Sequence, residues 1–203
     1  MFYSRDRKKR LLKRGFDLKK YIVFAGVNGA GKTTFYQTYP EMMNMPRVNV
    51  DEIVRGLGDW KNPKDVAEAG RIAVRAIRQY FDEGRSFNQE TTLCGKSILR
   101  NIQRAKDYGY YIELYYVGLE SADLAKKRVA QRVIAGGHGI PDADIERRYK
   151  ESLEHLRAVI NLCDRVELYD NSLAFRQVAV FKNGKCVDKA EIIPLWCQSV
   201  IEL

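Results

Sequence analysis

The segment Gly26-Val27-Asn28-Gly29-Ala30-Gly31-Lys32-Thr33, followed by Thr34, has a glycine, four free positions and then Gly-Lys-Thr. That spacing builds a phosphate-binding loop. Its glycines let successive backbone N–H groups turn inward toward phosphate oxygens, and the helix that follows adds the positive end of its dipole. Lys32 is long enough to reach β- and γ-phosphates, and the Thr33 hydroxyl suits Mg²⁺. Gly26, Asn28, Gly29, Ala30, Gly31, Lys32, Thr33 and Thr34 are therefore read as an ATP site.

Two carboxylates follow short strand-like stretches. Arg47 to Val50 leads into Asp51, and Ser86 to Gln89 leads into Glu90-Thr91-Thr92. A hydroxyl acceptor needs its proton taken as a new phosphoester forms, which a positioned carboxylate does. Asp51 and Glu90 are the candidate carboxylates for that role.

Arginines cluster between Lys127 and Tyr149. Arg128 and Arg132 stand one helical turn apart, the Gly136-Gly137-His138-Gly139 segment is a hinge, and Arg147 and Arg148 open the next helix. A guanidinium grips two phosphoryl oxygens with its planar fork, so a lid of this kind suits phosphoryl transfer. Arg148 borders the apolar face Ile145, Tyr149, Leu153, Leu156, Ile160, whereas Arg147 faces Glu151 as an ion pair. Arg132 and Arg148 are the favoured pair for the transferred group, with Arg128 on the nucleotide.

Five strands and the helices between them must position these groups. The apolar run Tyr21 to Ala25 reads as a buried strand before the loop, and Tyr110 to Val117 is the strongest strand. Helices are expected from Asn62-Pro63 to about Glu83, over Ser97–Asp107, from Ser121 to about Ala135 and over Asp142–Asn161, with a fifth strand at Arg165–Tyr169. Alternating strands and helices predict an α/β, three-layer P-loop sandwich with a mainly parallel five-stranded sheet and a helical lid. The Asn183-Gly184 pair predicts a C-terminal β-hairpin appendage. The expected division is a basic arm at 1–19, a kinase domain at 20–172 and a hairpin and tail at 173–203. In such sheets ligands bind at the C-terminal strand ends, which brings the loops at Asp51, Glu90 and Asn171 beside the phosphate loop.

Composition narrows the function classes. The net charge of +9 is concentrated in residues 1–20, which hold nine Lys/Arg against two Asp; the remainder holds 26 basic and 24 acidic residues. The basicity belongs to an arm and not to the domain, which weighs against a nucleic-acid partner. Cys94, Cys163, Cys186 and Cys197 are isolated, which suits a reducing, cytoplasmic setting and gives no zinc spacing. No apolar run is long enough to span a membrane.

No Asn-Lys-x-Asp segment marks a GTPase, and no Leu-Ser-Gly-Gly-type signature marks a transport ATPase. A small-molecule hydroxyl kinase is the leading reading; a polynucleotide-end kinase and a non-catalytic nucleotide-gated module stay open. The loop Gly26–Thr34, Val50-Asp51-Glu52-Ile53, Glu90-Thr91-Thr92-Leu93 and the Arg128–Ser152 lid together resemble the zeta-toxin family of P-loop kinases. The likeness spans residues 20–172 and is greatest to the branch described as predicted ABC-type ATPases. The resemblance implies ATP and Mg²⁺ as cofactors and UDP-N-acetylglucosamine, or a similar sugar nucleotide, as the small-molecule acceptor. It also implies an antitoxin protein as a candidate partner. By position, Asp51 takes the acceptor's proton, Glu90 and Thr92 line the metal and acceptor side, and the lid arginines hold the γ-phosphate. The family's second acceptor-binding carboxylate has Glu68 as its nearest match.

Overall fold

The computed structural model describes residues 18–202, so nearly all of the basic arm expected at 1–19 lies outside the described residues. Strand β1 (Lys20–Ala25) is buried on both faces, which is why its sequence is a continuous apolar run and not an alternation. Tyr21 and Val23 point into one core, while Ile22 and Phe24 point into the other. Around it stand α1 (Lys32–Tyr36), β2 (Arg47–Val48), α2 (Val50–Leu57), α3 (Pro63–Asp82), β3 (Phe87–Thr91), α4 (Lys96–Asp107) and β4 (Tyr111–Gly118). Then follow α5 (Ala122–Ile134), α6 (Asp142–Val159), β5 (Arg165–Asp170), β6 (Arg176–Lys182), β7 (Lys185–Lys189) and α7 (Leu195–Ile201).

The sheet order is β2-β3-β1-β4-β5-β6-β7. The first five strands are parallel, with β1 between β3 and β4, so Ala25 lies level with Thr91 on one side and Tyr116 on the other. Side chains of α3, α4, α6 and α7 fill the core on one face; α1 and α5 cover the other. Helix boundaries follow local chemistry. Asn62 caps α3 by accepting from the Lys64 N–H, with Pro63 in the first turn, and Ser121 caps α5 by accepting from the Leu124 N–H.

Two expectations need adjusting. The hairpin at Asn183-Gly184 forms, with φ of 50° and 76° at the two turn residues, yet it does not hang from the sheet. Strand β6 pairs antiparallel with β5 from Arg165↔Lys182 to Asp170↔Arg176, and Val178 to Phe181 are buried, so the sheet has seven strands. The apolar tail turns inward as well. Trp196 of α7 packs on Tyr116 at 5.7 Å between ring centroids and donates its indole N–H to buried Asp170 at 3.0 Å.

The second adjustment concerns Asp51. The strand expected through Val50 stops at Val48, because the Asn49 side chain accepts from the Asp51 N–H at 2.9 Å and starts α2. Asp51 therefore stands in the first turn of a helix whose cap is Asn49.

Candidate phosphoryl-transfer site

The phosphate loop begins where β1 leaves the sheet. Gly26 has φ of 141°, and a Cβ there would lie 2.2 Å from the Val117 carbonyl oxygen, so the loop turns away against the backbone of β4. Lys32 Nζ donates to the Val27 carbonyl at 3.2 Å across the loop. Its ammonium is largely buried, and that desolvation holds its pKa below the ordinary lysine range; the carboxylates of Glu90 and Asp51 act in the opposite sense, and Arg132 adds to the lowering. The loop is tied to the far side of the site as well, because Asn171 Nδ2 donates to the Ala30 carbonyl at 2.9 Å.

Thr33 and Glu90 meet. The Thr33 hydroxyl donates to the Glu90 carboxylate at 2.9 Å. The other carboxylate oxygen accepts from Arg47 at 2.5 Å; the Arg47 and Glu90 side chains are only 11% and 8% exposed. Arg47 also lies over the Tyr36 ring at 3.6 Å and donates to Glu52 at 3.1 Å and Asn88 at 3.3 Å. Nothing in the local sequence marks Arg47. Its role depends on β2 pairing with β3, which sets Arg47 opposite Asn88 and two residues from Glu90 along the strand.

Asn28, Lys32, Asp51, Glu90, Thr92 and Arg148 line one cavity of about 640 Å³ at the C-terminal ends of the parallel strands. Gly29, Ala30, Gly31, Thr33 and Thr34 belong to the loop and the first turn of α1, outside that lining. Arg148 donates to Asn28 Oδ1 at 3.2 Å, which brings the second lid helix onto the phosphate loop. Arg128 donates to the Ser172 carbonyl at 3.0 Å, on the side where Asn171 holds the loop. Arg132 donates through Nε to the His138 carbonyl at 2.8 Å, and one of its terminal nitrogens is buried with no partner among the described residues. It braces the lid hinge and keeps donor capacity in reserve.

The glycine-rich segment 136–139 rests on the cavity wall. His138 meets Trp60 edge to face at 4.7 Å, and both line the cavity. Burial lowers the His138 pKa; Arg132 and Arg148 push the same way, and Asp51 opposes them. Arg147 pairs with Asp144 at 2.9 Å and Glu151 at 3.0 Å, as its helical position implied. Glu68 is half-exposed, held by Arg71 and Arg75, and lies outside the cavity lining.

Among the described residues, no group of three or more His, Cys, Asp or Glu could hold a metal. The Thr33–Glu90 pair nevertheless fits Mg²⁺, which keeps several waters and takes few protein ligands beside nucleotide phosphates. No helix among the described residues is long and apolar enough to cross a membrane.

Comparison with known proteins agrees with this geometry. A protein of Haemophilus influenzae whose function is not characterised is 30% identical over 132 residues, covering 64% of this chain and 92% of its own. The PezAT chromosomal toxin–antitoxin system of Streptococcus pneumoniae contains a chain that superposes with a TM-score of 0.58 at 16% identity; the match covers 97% of this chain and 83% of that one. The AvrRxo1-ORF1:-ORF2 complex with ATP gives 0.55 at 17% identity, covering 88% of this chain and 62% of its counterpart. At such identities the likeness is one of fold. The sequence profile of the zeta toxin family matches residues 4–192, nearly the whole chain. The chain belongs to the zeta toxin family and is a P-loop kinase of that family.

Proposed function

We propose that the protein transfers the γ-phosphate of ATP to a hydroxyl of a small acceptor of the UDP-amino-sugar class. The observation that carries this reading is the shared cavity. Asp51 and Glu90 line the same cavity as Lys32 and Arg148, so a carboxylate base and a cationic phosphate grip would share one volume. About 640 Å³ is of the size that holds a small ligand.

In this reading the phosphate loop and Lys32 hold the β- and γ-phosphates, and Arg128 with the Asn171–Ser172 loop borders the nucleoside. Asp51 accepts the proton of the attacking hydroxyl, which would otherwise have to leave at a pKa far above neutrality. Arg148 and Arg132 neutralise charge on the phosphoryl group as it passes between oxygens. Thr33 and Glu90 would hold Mg²⁺, which neutralises the phosphate oxygens when bound. Thr92, at the end of β3, is positioned to orient the acceptor. A module that only binds nucleotide has no use for Asp51 facing Lys32.

The toxin–antitoxin membership of the PezAT neighbour supports an antitoxin protein as a partner. The chemical test is incubation with γ-labelled ATP and a panel of UDP-sugars, nucleosides and oligonucleotide 5′-ends, with mass spectrometry of the products. Phosphate on a UDP-amino sugar is expected; phosphate only on oligonucleotide ends would replace this reading with an end kinase.

A further inference from the structure

The turn that carries Thr92 has an unusual backbone. Leu93 adopts φ of 62° with its side chain fully buried, a left-handed conformation that costs energy for a residue with a branched side chain. Such a turn persists only if its surroundings over-determine it. Here the surroundings are one face of α6.

Three contacts do this. His155 Nδ1 lies 2.7 Å from the Leu93 carbonyl; a carbonyl can only accept, so Nδ1 carries the proton. Glu151 Oε1 accepts from the Gly95 N–H at 2.7 Å, at the start of α4, which has no side-chain cap and no acidic residue in its first turn. Cys94 Sγ sits between the Arg148 carbonyl at 3.3 Å and the Thr92 carbonyl at 3.4 Å, with its one proton shared between these two acceptors. The second Glu151 oxygen accepts from Arg147 at 3.0 Å, which fixes the carboxylate's orientation. Arg148, Glu151 and His155 follow one another at helical spacing, so one rigid face of α6 touches both Asn28 of the phosphate loop and the 92–95 turn.

We infer that Glu151 and His155 are positioning residues, which lock the Thr92–Gly95 turn to α6 so that the helix delivering Arg148 also sets the acceptor wall. Neither touches the reacting atoms; their effect passes through Thr92 and the backbone of residues 93–95. This inference rests on the kinase reading above.

The test compares His155→Leu, which removes the donor, with His155→Asn, whose side-chain amide can still donate to the Leu93 carbonyl. Amide exchange is measured with and without the ATP analogue AMPPNP, and transfer is measured with ATP and UDP-N-acetylglucosamine. In His155→Leu, exchange at Gly95 should quicken and the KM for UDP-N-acetylglucosamine should rise, each by about tenfold, while the KM for ATP stays within about twofold. AMPPNP should slow Gly95 exchange in the wild type and in His155→Asn but not in His155→Leu. Unchanged Gly95 exchange in His155→Leu overturns the inference. So does equal quickening at the β1 amides, which would make the effect one of global stability. If the wild type transfers nothing to UDP-N-acetylglucosamine, the acceptor assignment fails on its own, and the exchange comparison still decides the clamp.

Discussion

Arg47 and Glu90 form a buried ion pair at 2.5 Å, and the same carboxylate accepts the Thr33 hydroxyl. One side chain thus connects the edge strand β2 to the phosphate loop through Glu90. Removing the arginine would leave Glu90 enclosed without its counter-charge, a costly arrangement. The Tyr36 stack would also be lost. Arg47→Met should therefore lower the unfolding free energy by about 3 kcal/mol in urea titration. Arg47→Lys, which keeps the charge but not the fork, should fall between the two.

Lys32 offers a pH test. Its folded-state pKa is depressed, chiefly by burial, so between the folded and unfolded values the unfolded chain binds more protons and stability rises with pH. The cost of the buried ammonium is thus present in full below its lowered pKa and is relieved as pH climbs past that point toward the ordinary lysine range. Lys32→Met should melt higher than wild type at pH 7, with the gap narrowing as pH increases, while phosphoryl transfer is lost. A variant that melts lower at neutral pH would contradict this account of the site.

Asp51→Asn separates a base from a helix residue. Because Asn49 caps α2, the helix does not depend on Asp51 as its cap. Calorimetry should find ATP binding preserved, while the product assay shows transfer reduced by roughly 10²–10⁴-fold. Normal transfer would move the base to Glu90.

Arg148 should act mainly in the transition state. Arg148→Ala is expected to lower kcat about 10²-fold while changing ATP affinity much less, since its grip tightens as charge develops on the phosphoryl group. Arg132→Ala should show the same pattern. Loss of ATP binding with unchanged turnover of the bound complex would instead mean that these arginines only anchor the nucleotide.

Features governed by local chemistry were legible in the sequence. The phosphate loop, the caps at Asn62 and Ser121, the Asn183-Gly184 turn and the Arg147–Glu151 pair each depend on residues within a few positions of one another. The parallel order followed from alternation of strands and helices. What escaped depends on contacts across the chain. Arg47 and Glu90 are 43 residues apart, and His155 and Leu93 are 62 apart. The placement of the hairpin depended on the edge that β5 leaves open, and the start of α2 on the Asn49 side chain taking the Asp51 N–H.

The sheet's two borders have a consequence for self-association. On one side the last strand, β2, is only two residues long; on the other, β7 is exposed throughout and begins and ends with lysine. Short borders and lysine-bearing borders both discourage another chain from adding its backbone as an extra strand. Fibril-like stacking or strand exchange at either border is therefore disfavoured.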